Sequence, residues 1–349
     1  MRTAEACDPW FIANLVCPSD GGPLTLIGGE LDCGTGHRFP VVDGVPVMLL
    51  DEGAMTMSGT ENSLRRARGE GADPRAPELY LESLGISEQE KQGVVALASA
   101  RPAIDPVVAY LIAATNGLMY RHLIGALDRY PIPDLPLPAG DGRWLLDIGC
   151  SWGRWSLAAQ AKGYSVVGLD PSLGAVMAAR RVARRLGAPN RYVVGDARRL
   201  PFASQLFDVA YSYSVLQHLS KADVGLAAHE MGRVLKAGGL AKVQMPTRFG
   251  ARCLYHQLRR GFREGRGFEV RYWTLGELAR LFGASVGATR FDVDCYFGIG
   301  LQPADEPLMT PALRRVLRAS ELLKTASRSF PLMRWIADSV FVEARKAAA

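Results

Sequence analysis

The middle of the chain alternates short apolar runs with amphipathic stretches. Apolar runs at residues 144–146, 164–169, 191–194 and 206–211 have the length of buried strands, and the first and fourth lead through a turn into a helical pattern. Strands that alternate with helices are typical of an α/β sheet. The pattern therefore predicts an α/β domain, which we place at residues 141–349.

The flanks of this domain have different patterns. Residues 51–77 are polar, contain Gly and Pro, and show little periodicity, which predicts a linker. Over residues 78–140 apolar positions such as Val107 and Leu111 recur at helical spacing, which predicts a helical extension. A basic, amphipathic stretch at 303–337 predicts a helical insertion within the α/β domain.

The clearest chemical signal lies in residues 145–163. An apolar run ends at Asp147 and is followed by Gly149, Ser151 and Gly153. Strand-to-helix turns rich in glycine let the backbone pass close to a nucleotide-like ligand. The dinucleotide fingerprint is incomplete because Ser151 replaces its middle glycine. The carboxylate of Asp147 would repel a pyrophosphate, but it suits a ligand with a cationic ammonium and sulfonium, such as S-adenosylmethionine.

Two more carboxylates follow the next apolar runs. Asp170 stands 21 residues after Gly149, a position suited to accept hydrogen bonds from both ribose hydroxyls. Asp196 ends the third run and is an acceptor for an exocyclic adenine amine. The spacing of Asp170 also fits NAD, so a dehydrogenase stays an alternative, as does an α/β domain with these carboxylates by chance.

In order, these segments resemble the motifs of the class I S-adenosylmethionine-dependent methyltransferases. The resemblance covers roughly residues 140–250 and includes LKAGGLAKVQMP, which is similar to the Pro/Gly turn and fifth strand of that family. It implies a doubly wound, Rossmann-like sheet of seven strands, with the sixth at 291–301 and an antiparallel seventh at 338–346. The cofactor-binding residues that it implies are Asp147, Gly149, Cys150, Ser151, Gly153, Asp170, Pro171, Ser172, Asp196, Ala197, Ser212 and Tyr213.

The family resemblance also suggests roles for the flanking segments. In many small-molecule methyltransferases an N-terminal helical segment covers the cofactor, and residues 78–140 are similar to it in position; packing on the sheet edge is the alternative. The insertion is interpreted as simple packing, as a substrate lid, or as a surface that lies on an anionic membrane. Thr274 and Glu277 predict a capping box on the helix before the sixth strand.

Residues 1–50 form a separate module with short β-like runs and two turns that contain Cys. It resembles a zinc ribbon, and in particular the small zinc-binding activator subunit of tRNA and protein methyltransferases. Each turn has lost one Cys of the C-x-x-C pair that such a ribbon uses. Cys17, Asp20, Cys33 and His37 remain as candidate zinc ligands, because carboxylate and imidazole also bind zinc. A metal-free ribbon is the alternative, and the linker predicts that the module is hinged.

Composition narrows the class of protein. The chain has 349 residues, of which 48% are hydrophobic, and this is enough for a full core. It has no run of 18 apolar residues and no N-terminal signal pattern, so we predict a soluble, cytoplasmic protein. Six scattered cysteines suit reduced thiols. The net charge of +6 and the Arg-rich runs at 180–185 and 248–271 indicate solvated helix faces or, as the weaker alternative, nucleic-acid binding.

Methyl transfer from a sulfonium depends on alignment and needs no catalytic triad. For a hydroxyl acceptor, His218 after the fourth strand is the candidate general base, and packing is its alternative role. The loop after that strand, residues 211–214, lacks the Asn/Asp-Pro-Pro-aromatic motif of amine-methylating relatives. We therefore predict O-methylation of a small or lipid-linked metabolite. The alternatives are an RNA methyltransferase and a non-catalytic adaptor that binds the cofactor.

Overall fold

The computed structural model describes residues 7–51, 58–115, 121–298 and 302–348. Its strands are β1 (Thr25–Ile27), β2 (Glu30–Asp32), β3 (Arg38–Val42), β4 (Val45–Met48), β5 (Trp144–Ile148), β6 (Ser165–Asp170), β7 (Arg191–Gly195), β8 (Phe207–Ser212), β9 (Leu235–Pro246), β10 (Gly287–Cys295) and β11 (Ser339–Lys346). Its helices are α1 (Pro9–Asn14), α2 (Ser58–Ala67), α3 (Glu88–Ser99), α4 (Pro106–Thr115), α5 (Arg154–Ala161), α6 (Leu173–Arg185), α7 (Lys221–Val234), α8 (Ala251–Arg259), α9 (Leu275–Ser285) and α10 (Pro311–Ser329).

One sheet runs through the described part of the chain in the order β1-β2-β3-β4-β7-β6-β5-β8-β9-β11-β10. Strands β5 to β9 are parallel to one another, and β11 lies antiparallel between β9 and β10. The α/β prediction and the antiparallel strand near the C-terminus are confirmed. The carboxyl ends of β5, β6, β8, β9 and β10 therefore meet at one edge, which we call the carboxyl edge.

Helices cover both faces of this sheet. Leu146 of β5 belongs to the same buried cluster as Val224 of α7 and Phe282 of α9. Its neighbour Leu145 points the other way and packs in the same cluster as Trp155 of α5. Alternate residues of a strand face opposite sides, so a strand buried on both faces is apolar throughout. This explains the unbroken apolar runs from which the strands were predicted.

The N-terminal module joins this sheet. Strand β4 pairs in parallel with β7, with Val47 opposite Val194. Trp10 stacks on Trp144 with 4.9 Å between ring centroids, which fixes α1 against β5. The prediction of a hinged module is wrong for the described residues, because β4 forms backbone hydrogen bonds with β7 of the main sheet.

Between the module and β5, helices α2 and α4 contact α6. Helix α2 lies inside the predicted linker, of which residues 52–57 fall outside the described part. The predicted helical extension contains α3 and α4, with two 3₁₀ turns ahead of them at Pro77–Leu79 and Leu81–Ser83. Residues 116–120, also predicted as helical, lie outside the described residues. Helix α2 was not predicted because its sequence is mostly polar. The helix buries only one narrow face.

The C-terminal part follows the predicted order of elements. Thr274 and Glu277 form the predicted capping box of α9. The insertion at 303–337 consists of a 3₁₀ turn (Pro303–Leu308), α10, and a second 3₁₀ turn (Pro331–Ile336). Strand β10 ends at Cys295, earlier than predicted, and residues 299–301 lie outside the described residues. Within the described ranges each helix is too short or too polar to cross a bilayer.

Candidate functional site

The predicted glycine-rich turn joins β5 to α5 at the carboxyl edge. The backbone N–H groups of Gly149 and Cys150 both donate to the carbonyl of Leu169 on β6, at 2.7 and 3.0 Å. Gly149 and Gly153 have φ angles of +76° and +83°, in the left-handed region that favours glycine. The turn is therefore held against the end of the neighbouring strand.

Packing inside the protein also accounts for both glycines. A Cβ atom on Gly149 would lie 2.2 Å from a methyl group of Val215, and one on Gly153 would lie 2.7 Å from the hydroxyl oxygen of Tyr192. The sequence interpretation gave these glycines a role next to a ligand only. The structure adds that protein side chains already occupy the space beside each of them.

Asp170 lies at the end of β6 and connects two turns. One carboxylate oxygen accepts a hydrogen bond from the N–H of Ser151 at 2.9 Å, and the other accepts one from the N–H of Ser172 at 2.9 Å. Burial raises the pKa of this carboxyl to about 6, although both N–H groups favour its ionised form. Each oxygen keeps a further lone pair that can accept a hydroxyl proton.

Asp147 is almost fully buried, with 1% of its surface exposed. Its carboxylate accepts a hydrogen bond of 2.6 Å from the hydroxyl of Ser156 on α5. Burial raises the pKa of Asp147 to about 7, and the nearby charge of Asp170 raises it further against the effect of Ser156. The two carboxylates thus form a charged pair beneath the turn whose ionisation changes near neutral pH.

Asp196 is already engaged by an arginine two residues later. Its two oxygens accept from the backbone N–H, Nε and Nη2 of Arg198 at 2.6 to 3.1 Å, which uses about four acceptor positions. Arg198 also lies 3.3 Å from Asp223 on α7. Recognition of an adenine amine by Asp196 would therefore require Arg198 to move. Ala197 packs partly against the core.

The side chains of Ser212 and Tyr213, at the end of β8, form hydrogen bonds with different partners. The hydroxyl of Ser212 is buried and donates to the carbonyl of Ile148 at 3.0 Å. The Tyr213 hydroxyl donates to Asp294 at 3.1 Å and accepts from Gln302 at 2.6 Å. Sequence reasoning missed Asp294 and Gln302, which come from β10 and from the start of the insertion, because no local motif marks them.

Residues from the N-terminal segments cap α6 beside Asp170. Ser63 accepts a hydrogen bond from the N–H of Leu173, and Ser83 accepts one from the N–H of Gly174 at 2.7 Å. The Ser172 hydroxyl donates to the carbonyl of Ser83 at 2.7 Å. These contacts were not predicted, since serine in a polar or helical stretch carries no signal of a distant partner.

The remaining members of the predicted cofactor set are held by the protein itself. Cys150 is buried, and a Cβ atom on Gly168 would lie 2.9 Å from its sulfur, so the thiol faces the core. The carbonyl of Pro171 accepts from the Ser63 hydroxyl at 2.9 Å.

On α5, Arg154 forms a buried ion pair of 2.5 Å with Asp305 of the insertion. The insertion is thus fixed to the first residue of the helix that follows the turn.

His218 lies in a 3₁₀ turn (Leu216–His218), three residues after Val215. Its Nδ1 is 2.7 Å from the carbonyl oxygen of Phe268, and its ring stacks on the Phe268 ring at 3.8 Å. A carbonyl accepts only, so Nδ1 carries the proton, and the lone pair of Nε2 accepts a hydrogen bond from the side-chain amide of Gln217 at 3.2 Å. Burial lowers the pKa of His218 to about 4. The ring is therefore neutral at physiological pH, and its basicity is low.

The four predicted metal ligands come together in the module. Nδ1 of His37 lies 3.7 Å from Sγ of Cys17, 3.5 Å from Sγ of Cys33 and 4.0 Å from a carboxylate oxygen of Asp20. The donor atoms of these four residues all lie within 4.8 Å of one another. Ligands of a tetrahedral zinc ion with bonds of 2.0 to 2.3 Å are about 3.3 to 3.8 Å apart. The donor set fits zinc. The distances from the imidazole to the two sulfur atoms match such a site, and the Asp20 carboxylate lies slightly farther away.

A surface cavity of about 620 Å³ lies at the opposite end of the sheet. Its lining includes Asp208 at the start of β8 and Gly239 in β9, together with Arg143 and Tyr164. Open α/β sheets bind ligands at the carboxyl ends of their parallel strands. This cavity is therefore separate from the carboxyl edge.

Comparison with known proteins finds a family match over the segment that contains the turn between β5 and α5. Residues 145–239 match the family described as "Methyltransferase domain". Ubiquinone biosynthesis O-methyltransferase of Azorhizobium caulinodans is 34% identical over 107 residues, which cover 31% of this chain and 42% of that protein. Malonyl-acyl-carrier-protein O-methyltransferase of Pectobacterium atrosepticum is 35% identical over 104 residues, which cover 30% of this chain and 39% of that protein.

A solved structure, a SAM-dependent methyltransferase from Methanosarcina mazei, aligns with a TM-score of 0.41 and 22% identity over 60% of this chain and 94% of that one. The chain spans about two fifths of the length of the two curated relatives. The family match, at residues 145–239, includes the turn, Asp147 and Asp170. Residues 145–239 of this chain are thus similar to the methyltransferase domain family.

Proposed function

We propose that the protein transfers a methyl group from S-adenosylmethionine to an oxygen of a small or lipid-linked metabolite. The observation that carries this proposal is the turn between β5 and α5, with Asp147 and Asp170 at adjacent strand ends, inside the segment that matches the methyltransferase family. Two relatives named as O-methyltransferases support oxygen as the acceptor atom. We place the reaction in the cytoplasm, in line with the free cysteines of the described chain.

In this proposal Asp170 binds the ribose, because its two oxygens are oriented by backbone N–H groups and keep free lone pairs. Asp147 acts through its charge, since it is buried beneath the turn and bound to Ser156. A negative charge there attracts the ammonium and sulfonium groups. Asp196 contributes to adenine binding once Arg198 turns away from it. The cofactor, when bound, supplies an electrophilic methyl group whose transfer is an in-line displacement.

We place the acceptor beside Tyr213, Asp294 and Gln302, where β8 and β10 end and the insertion begins. Asp305 and Arg154 fix the insertion to α5 next to this position, so the insertion forms a wall or lid over the acceptor. We propose His218 as the base that takes the hydroxyl proton at Nε2, once the Gln217 amide gives up its hydrogen bond to this atom. Its low pKa keeps Nε2 unprotonated, and alignment supplies most of the rate enhancement.

Turnover tests this proposal directly. We expect an extract of the source cells, supplied with labelled S-adenosylmethionine and the purified protein, to release S-adenosylhomocysteine and to label an organic-soluble product. Nuclease treatment should leave the signal unchanged, and His218→Gln should lower kcat without changing the KM of the cofactor. Binding of the cofactor without release of S-adenosylhomocysteine would identify an adaptor. A signal abolished by nuclease would identify an RNA enzyme.

We further propose that the division at residues 50, 77 and 140 separates a zinc-ribbon-like module, a connecting segment and a helical extension from the methyltransferase part. The module binds one Zn²⁺ through Cys17, Asp20, Cys33 and His37. The spacing of the four donor atoms supports this. Thr35 donates a 2.6 Å hydrogen bond to Asp20, which orients this carboxylate as a ligand.

Metal analysis of the purified full chain tests the zinc site. We expect about one zinc per chain without added metal, and a lower melting temperature after chelation, because bound metal stabilises the folded module. His37→Ala should lose the metal, whereas Cys7→Ser, which changes a buried cysteine outside the cluster, should retain it. Less than about 0.2 zinc per chain in protein prepared without chelators would refute the site.

A further inference from the structure

Large apolar side chains lie exposed along the end of the insertion. The exposed fractions are 72% for Leu322, 65% for Phe330, 80% for Leu332, 45% for Trp335 and 57% for Ile336. Single exposed apolar residues are common, but soluble proteins seldom expose several large ones together unless the surface binds something. This part of the insertion therefore has the character of a binding surface.

Helix α8 extends this surface. It exposes Leu254, Tyr255 and Leu258 on the side opposite its buried residues. Asp338, directly after the insertion, accepts hydrogen bonds from the backbone N–H of Cys253 in α8 at 2.9 Å and of the exposed Phe297 at 2.6 Å. One carboxylate thus joins the three segments. We call their exposed apolar side chains the apolar rim, namely Leu254, Tyr255, Leu258, Phe297, Leu322, Phe330, Leu332, Trp335 and Ile336.

Positive charges predominate around the apolar rim, although Glu321, next to Leu322, pairs with Lys324 at 3.7 Å. Residues 248–263 and 322–337 contain arginine and lysine but no aspartate or glutamate. Arg252, Arg259 and Arg328 are exposed beside the apolar side chains. The pKa of His256 on α8 is lowered by partial burial and by the positive charges of neighbouring arginines, including Arg252. The rim is therefore an apolar surface within a positive electrostatic field.

The rim lies close to the carboxyl edge. Strand β11 begins directly after the insertion, with Ser339 opposite Pro246 at the end of β9 and opposite Cys295 at the end of β10. Asp294, which holds the Tyr213 hydroxyl, immediately precedes Cys295. A surface that docks on the rim is therefore adjacent to the position proposed for the methyl acceptor.

We propose that the apolar rim docks the protein on the surface of an anionic lipid bilayer. Aromatic and aliphatic side chains surrounded by arginines fit the boundary between acyl chains and anionic headgroups. A second copy of the chain fits less well, because a two-fold contact would place the same cationic surface against itself. Nucleic acid offers phosphates to the arginines but nothing comparable to bury Leu332 and Ile336.

Docking has one consequence that rests on the proposed function. It would bring a lipid-linked acceptor to the carboxyl edge without removing its apolar tail from the membrane. The docking itself depends only on the rim and its charges. It is therefore testable without any methyl acceptor.

Vesicle sedimentation of the full chain tests the docking. We expect at least tenfold stronger binding to phosphatidylcholine vesicles containing about 30% phosphatidylglycerol than to phosphatidylcholine alone, and weaker binding as salt is raised. Leu332→Ser combined with Trp335→Ser should reduce binding at least tenfold, because both side chains leave the apolar phase. The matched control, Leu186→Ser with Leu226→Ser, changes two exposed leucines elsewhere and should bind as the unchanged chain does.

A charge variant separates the two contributions. Arg252→Gln with Arg328→Gln should remove most of the preference for anionic vesicles, while Arg280→Gln on α9 should retain it. Equal binding to both vesicle types, or no loss in the rim variant, would overturn the proposal. So would a dimer in solution that the rim variant abolishes, together with no vesicle binding. Vesicle binding by a protein without methyl transfer would leave the docking intact and refute the proposed function instead.

Discussion

Replacing Asp170 with alanine is expected to weaken S-adenosylmethionine binding by about 30-fold, equivalent to about 2 kcal/mol. The variant loses the acceptor proposed for both ribose hydroxyls. It also leaves the N–H groups of Ser151 and Ser172 without the carboxylate that holds them at 2.9 Å. The turn between β5 and α5 is then no longer tied to β6 through this side chain. Isothermal titration calorimetry with the purified protein measures the change.

Asp208→Ala is the matched control. Asp208 also accepts a backbone N–H, from Trp144 at 2.8 Å, but it lies at the start of β8, at the far end of the sheet. We expect this variant to lose some stability and to keep the affinity of the unchanged chain. Equal affinities in the unchanged chain and the Asp170 variant, with both folded by circular dichroism, would contradict the proposed ribose site.

Asp147→Asn is expected to stabilise the cofactor-free protein at pH 8 by about 2–4 kcal/mol while it weakens cofactor binding. The pKa of Asp147 is about 7 in the folded chain and 3.8 for an ordinary aspartate, so its neutral form is favoured by folding. Stability from this group is full below about pH 4 and is lost as the pH rises to about 7. Asparagine avoids this loss because it is neutral at every pH and still accepts from Ser156.

Thermal unfolding at pH 5 and pH 8 measures this effect. We expect the melting temperature of the unchanged protein to fall between these values, and that of the Asn variant to fall less. Asp170, with a pKa of about 6, adds to the loss in both proteins. The same concentration of cofactor should raise stability at pH 8 more in the unchanged protein than in the Asn variant, because the cationic groups stabilise the ionised carboxylate. An Asn variant that is less stable at pH 8 would show that Asp147 is not a buried charge.

The two carboxylates most important to the proposal were found from the sequence because their signals are local. Asp147 and Asp170 each follow an apolar run, and parallel strands bring their carboxyl ends to one edge. The capping box of α9 was predicted for the same reason, since Thr274 and Glu277 lie within one helical turn. The engagement of Asp196 by Arg198 also had a local signal, an arginine two residues away, but its consequence for adenine binding becomes visible only in the geometry.

The candidate metal site was predicted from the sequence only in part. Residue types and turn spacing selected Cys17, Asp20, Cys33 and His37 as a possible set, and the fold brings their donor atoms together. The sequence left open whether the two turns approach each other, because this depends on the pairing of β1, β2 and β3. It also did not indicate that β4 would pair with β7, since a strand that joins the main sheet and a strand that pairs only within a ribbon have the same local pattern.

The sequence by itself determined the α/β alternation, the turn between β5 and α5, and the carboxylates at the ends of β5 and β6. Each of these depends on residues that are close together in the chain. Only the tertiary structure decided that the module joins the sheet, that Tyr213 binds Asp294 and Gln302, and that Asp338 connects α8 and Phe297 to the end of the insertion. Those features arise from contacts between residues far apart in the chain, and local periodicity carries no information about such pairings.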